Sequence, residues 1–272
     1  MALAVTVVVL NVRFDNEWSI GVHLVYTAAA AALAIALALS VPAGSGSPPA
    51  WHSTLFVASF VLGFGTLANL ADVLGADDDL SSGTVFWVGF LLASLMFWLA
   101  RRYDSGIAAL LDALTTLVVV IAFVDWAFDP DGAGTFRWVL LFTALAMAAY
   151  GLMGGEEERH RRVGWVNAAG VALLAIPGTF GLEAFGGLLQ GGGEVEAGTG
   201  WELVMLGGGA ALIAYTATLA RSGPAYLGVL NLAAFVLLAG EASDDGPSLI
   251  GWPLLLLLGT AALLAVALRP RT

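Results

Sequence analysis

Nine apolar runs follow one another along this chain, each about 17 to 25 residues long and joined by connections of mostly ten residues or so. They fall near 20–41, 53–74, 84–101, 105–128, 136–153, 164–189, 201–220, 224–240 and 249–268. A helix of about 20 residues crosses the ~30 Å hydrocarbon of a bilayer at about 1.5 Å per residue. No connection is long enough to form a soluble domain. The expected fold is therefore all-α: a polytopic integral membrane helix bundle, forming a single transmembrane domain over 1–272. It should hold about nine transmembrane helices plus a short apolar N-terminal segment. The charge content agrees, 11% of 272 residues against about 25% in soluble domains.

Met1 to Leu10 is apolar but too short to cross, and it lacks the basic start and cleavage site of a signal peptide. It should form a short helix or half-span leading into the polar stretch 11–19. Pro177-Gly178 should kink the sixth span, and Gly186-Gly187 should end it early.

The fourth span shows the two kinds of surface such a helix needs. Ile107, Leu110, Leu111, Leu114, Leu117, Val118 and Ile121 form one bulky aliphatic face suited to lipid. The opposite face carries Ala108, Ala109, Asp112, Thr115, Thr116, Val119 and Ala122, small enough for close helix packing. Asp112 stands about two turns inside the hydrocarbon and must face protein or trapped water.

Arginine positions give an orientation. Arg101 and Arg102, then Arg159, Arg161 and Arg162, then Arg221, then Arg269 and Arg271 follow the third, fifth, seventh and ninth spans. By the positive-inside rule these ends are cytoplasmic, with residues 11–19 outside and the C-terminus inside. The inner side then holds eight arginines and four acids, the outer side two arginines and sixteen acids, with Asp112 between them. Residues 52–102, 103–162, 163–221 and 222–271 each read as an outward helix, an acidic connection and an inward helix ending in arginine. Residues 1–51 form a truncated opening unit, and the period of about 50 residues suggests hairpin duplication. Cysteine and lysine are both absent. That excludes disulfides, thiolate chemistry and Schiff-base cofactors, and the arginine-only basic set reads as the bias of a prokaryotic genome. The expected location is a prokaryotic plasma membrane, with lipid as the first partner and no nucleic acid.

Polar residues are concentrated in the outward spans, which are expected to form a protein-facing layer behind a lipid-facing layer of inward spans. The candidates for a polar path are Asp112, Thr115, Thr116, Asn69, Asp72, Asn167 and Asn231. Asparagines inside a membrane more commonly form interhelical hydrogen bonds. Asp112 has a structural alternative too, as a carboxyl bonded to Thr115, Thr116 or an inner-rim arginine. His23, Asp125, Glu183 and Glu241 are candidates at the outer rim. His23 should pair with Tyr26 or Thr27, and it lacks a second intramembrane histidine for haem or metal. His52 and His160 should lie at the cytoplasmic surface. Asp77-Asp78-Asp79 suits a divalent cation, but without a loop scaffold it reads rather as a solvated acidic coat. No resident cofactor is expected.

The chain has no phosphate-binding glycine loop, HExxH, GxSxG or paired intramembrane aspartates. These absences point away from an enzyme, and Gly207-Gly208-Gly209 reads as helix-packing material. The stretch from Ala214 through Arg221, with Ser222-Gly223-Pro224-Ala225, Gly240-Glu241 and Gly251-Trp252, resembles the closing helices of drug/metabolite transporters. The span triplets 3–5 and 7–9 run the same way, whereas that superfamily's halves are inverted, so the chain is not assigned to it. The leading expectation is passage of a small solute or cation through the bundle, along Asp112 and the asparagines. Its rival is a non-catalytic membrane subunit or scaffold, whose acidic outer face meets a protein partner or a second copy.

Overall fold

A computed structural model describes residues 2–14, 17–42, 50–76, 81–153, 159–189, 197–219 and 223–239. Among these the chain is all-helical, with no strand. The helices are α1 (Ala2–Arg13), α2 (Ile20–Leu39), α3 (Ala50–Val73), α4 (Ser82–Tyr103), α5 (Gly106–Phe128), α6 (Ala133–Met153), α7 (Arg159–Leu189), α8 (Thr199–Leu219) and α9 (Gly223–Ala239). Helices α2 to α7 are six that are long and apolar enough to cross a membrane, as befits a membrane-embedded protein. The eight expected runs up to 224–240 each coincide with a helix to within a few residues, and the ninth, 249–268, lies outside the described residues.

Local chemistry fixes the helix ends. Ser81 and Ser105 cap α4 and α5, their hydroxyls accepting the backbone N–H of Thr84 and Ala108. Asp104 and Asp129 close the same two helices with φ of 43° and 41°, a left-handed conformation that Asp tolerates better than most residues. The α4–α5 connection is thus only Asp104-Ser105. Pro177 stands inside α7 and has no N–H for the Leu173 carbonyl. The helix nonetheless continues through Gly186-Gly187 to Leu189 instead of ending early. In hydrocarbon no water competes for backbone hydrogen bonds, so glycine is a weaker stop there than in solution.

The chain forms two compact units. The first contains the residues up to Thr135 and Ala149–Trp165, the second Phe136–Ala148 and the described residues from Val166 onward. In the first, α1 packs Ala4 and Val7 against Ala31 and Ala34 of α2 and Ala58 and Leu62 of α3. Gly89 of α4 receives Val119 of α5 so closely that a Cβ would stand 2.7 Å from Cγ2. The start of α7 presses Gly164 onto Gly106 of α5, where a Cβ would meet the Gly106 carbonyl oxygen at 2.6 Å. In the second unit α8 and α9 meet at Gly209 and Gly228, with a Cβ on Gly228 falling 2.7 Å from the Gly209 carbonyl oxygen. Gly209 therefore does serve helix packing.

The expected division into a protein-facing outward layer and a lipid-facing inward layer does not hold in the first unit. Helices α4 and α5 share one degree of burial, 44%, and α2 and α3 share another, 33%. Apolar contacts bury the inward helices as well, through Ala31, Ala34 and Ala38 on α2 and Leu92, Met96 and Leu99 on α4.

Candidate functional site

Asp112 is carried by the small-residue face of α5, which the structure buries: Ala108, Ala109, Thr115, Val119 and Ala122 are all enclosed, while Ile107 and Val118 are exposed. The side chain of Asp112 is only 2% exposed. One carboxylate oxygen accepts a long hydrogen bond, 3.5 Å, from the Thr116 hydroxyl one turn along. The other is buried with no hydrogen-bond partner. Thr115 is not a partner, because its hydroxyl donates to the Leu111 carbonyl at 2.7 Å. No arginine pairs with Asp112 among the described residues.

A second polar cluster joins the first three helices. Asn69 donates through its amide to the Thr27 hydroxyl at 3.2 Å, and that hydroxyl donates to the His23 carbonyl at 2.8 Å. His23 does not pair through its ring with Tyr26 or Thr27. Its Nδ1 donates to the Asn11 side-chain oxygen of α1 at 2.7 Å, which leaves Nε2 as a buried, unpartnered acceptor. Asn11 was missed in the sequence because it opens a polar stretch read as connection, whereas it occupies the last turns of α1. Asn69 stands 19 residues into α3 and Asp112 six into α5. Contact between His52, near the start of α3, and Tyr103, beside the start of α5, puts the two helix starts level. The two polar sites are therefore about 20 Å apart along the helix axes at 1.5 Å per residue, too far to share a site.

Asn167 and Asn231 belong to the second unit. Asn231 is fully buried and donates to the Gly170 carbonyl of α7 at 3.3 Å and to Leu227 at 2.9 Å. Asn167 packs its amide against Gly223 at the start of α9. Of the rim candidates, Glu183 forms an ion pair with Arg137, which also donates to Thr179 at 2.9 Å and lies 3.5 Å over the Phe180 ring. Asp72 is exposed and Asp125 half-buried. Glu241 and Asp77-Asp78-Asp79 lie outside the described residues. Among the described residues no three histidines or acids are close enough to hold a metal ion.

His52 corrects an expectation. It is fully buried instead of lying at a surface, with Nε2 at 2.8 Å from the Ala38 carbonyl and its ring against Phe56 and Tyr103. The last carbonyls of a helix lack intrahelical donors. Ser40 N–H serves those of Ala36 and Leu37, and His52 serves the next one. His160 is partly exposed and meets Asp104 at 3.2 Å.

Neither unit, then, brings together Asp112 and an asparagine. What the geometry offers is one enclosed carboxylate with no counter-charge among the described residues, and two amides, those of Asn69 and Asn231, engaged in helix-to-helix bonds. The chain matches no protein-family model, no curated protein and no solved structure.

Proposed function

We propose that the protein passes a small cation, in the simplest case a proton, across a prokaryotic plasma membrane, with Asp112 as the exchanging group. The single observation that supports this is the buried carboxylate oxygen of Asp112, which has no hydrogen-bond partner and, among the described residues, no counter-charge. Intramembrane acids are rare, and those on ion and proton pathways face the bundle interior as this one does. Asn69 and Asn231 leave the path in this reading and act as links between helices. In this reading the chain crosses nine times, with its arginine-bearing ends in the cytoplasm as the positive-inside rule expects.

Purified protein in vesicles that enclose a pH-sensitive dye tests the reading. An imposed potential should drive proton entry in the native chain, and Asp112→Asn should abolish it while leaving the helix content intact. Equal flux in the two proteins would refute the role. Because the chain has no cysteine, its orientation is open to labelling. Cysteine at Ser82 should react with an impermeant thiol reagent from outside, and cysteine at Ser47 should not.

A second reading, a non-catalytic membrane subunit, is favoured by the interhelical bonds of Asn69, Asn231 and Arg137. It expects no flux from the native chain and a protein partner that co-purifies from the native membrane through the acidic face.

A further inference from the structure

Helices α3, α4 and α5 enclose a cavity of about 370 Å³ that owes nothing to Asp112. Its floor is α4, where Val88, Gly89 and Leu92 are buried. Phe60, Phe64 and Ala68 of α3 form one wall, and Leu111, Leu114 and Val118 of α5 the other. Phe64 and Val118 are 48% and 49% exposed. They mark the rim at which the crevice opens sideways, onto the outward surface of the spanning helices.

The lining decides what can occupy it. Its hydroxyls belong to Thr84 and Thr115, and both are already engaged, with Ser81 and with the Leu111 carbonyl. At ~30 Å³ each, about a dozen waters would fit the volume and find no free polar side chain, and apolar cavities of this kind stay dry. The phase at the rim is hydrocarbon, because all three flanking helices are long and apolar enough to cross a membrane. Along α4 the crevice runs from Thr84 to Leu92, about 12 Å at 1.5 Å per residue. Its walls reach further: Ala68 stands 18 residues into α3 and Leu111 five into α5, about 20 Å apart along the axes with the two helix starts level. The crevice begins two residues into α4, at the end where α3 passes to α4, and extends past the middle of the ~30 Å hydrocarbon core.

We propose that this crevice is a binding site for one hydrocarbon chain of a membrane lipid. The site is continuous with the lipid-facing surface and differs from it in being walled on three sides. A chain inside it gains packing contacts that a chain on an open helix face lacks, and packing is what distinguishes sites within a medium as apolar as the side chains.

The test uses the full chain in lipid nanodiscs containing a phospholipid with a photoactivatable diazirine on one acyl chain, with adducts located by peptide mass spectrometry. Adducts should be enriched several-fold at Phe64, Val85 and Val118 over Val25 and Leu33, which are exposed on α2. Ala68→Phe, which fills the crevice, should remove the enrichment, and Leu33→Phe should not. Should Ala68→Phe fail to fold, Val118→Trp at the half-exposed rim blocks the same opening and should give the same loss. Uniform labelling of all exposed residues would overturn the proposal. So would enrichment that survives both filling variants, or protection of the crevice by another protein segment, seen as lower labelling there than on α2.

Discussion

The two units close by the same device and treat a carboxylate differently. In the first, Gly164 of α7 lies on the backbone of Gly106; in the second, Gly228 of α9 lies on the backbone of Gly209. Each seam brings a helix within reach of another's carbonyl, a geometry open only to a residue without a Cβ. Polar groups inside the helices separate the units. Glu183 has a guanidinium that also reaches Thr179 and the Phe180 ring, whereas Asp112 has a single long hydrogen bond from its own helix. Glu183 belongs to a link between α6 and α7, while Asp112 links no helices. The contrast teaches that a charge within an apolar run is not evidence of one role: the neighbours decide whether it fastens helices or stays available.

The shared device should fail alike in both units, and with the largest effect. Gly164→Val and Gly228→Val each force a side chain against backbone that no rotamer change can clear. Each should lower stability by about 3 kcal/mol, the upper part of the usual range for overpacking, read as loss of the folded fraction in a denaturation series. A tolerated valine at either seam would show that the close contact is not needed.

The carboxylates should then part company. Arg137→Leu strands Glu183 and should destabilise by about 1–3 kcal/mol, below the full figure for a buried pair because Glu183 is 37% exposed. Asp112→Leu strands only the Thr116 hydroxyl, which can turn to a backbone carbonyl of its own helix, and should change stability by less than about 1 kcal/mol. If Asp112→Leu were as damaging as Arg137→Leu, Asp112 would be a structural carboxyl after all and the exchange reading would lose its ground.

Much of this architecture was legible in the sequence, and the boundary of legibility is physical. Hydrocarbon thickness imposes a run length, so helices α2 to α9 could be read from apolar runs to within a few residues. The small face of α5 could be read too, because small residues at helical spacing indicate where another helix comes close, although Leu117 of the aliphatic face is buried as well. Partners could not. Asn11 bonds His23 from a different helix, and His52 satisfies a carbonyl fourteen residues away. Helical periodicity gives each helix a face but not the neighbour that face meets. The same gap hid the crevice: helical spacing puts Phe60 and Phe64 on one face, and only the arrangement of α3 and α5 over α4 makes them a wall.

The smallest effect expected is at Asn69, and it tests whether the first unit's polar cluster fastens helices as Arg137 does in the second. Its amide donates to Thr27 across the α2–α3 contact, at 3.2 Å. Interhelical hydrogen bonds in membranes average about 0.6 kcal/mol and reach about 1.7, because the separated helices find other partners. Asn69→Ala should therefore lower stability by about 0.6 kcal/mol, and Thr27→Ala by slightly more, since the Thr27 hydroxyl also donates to the His23 carbonyl. The double variant should lose less than the sum of the single ones, which is the signature of a shared bond in a double-mutant cycle. Fully additive losses would mean that the two side chains act independently and that the cluster contributes nothing to joining α2 with α3. A loss well above about 1.7 kcal/mol at Asn69 would point the other way, to a role beyond one hydrogen bond. The first place to look for that role would be the unpartnered Nε2 of His23 in the same cluster.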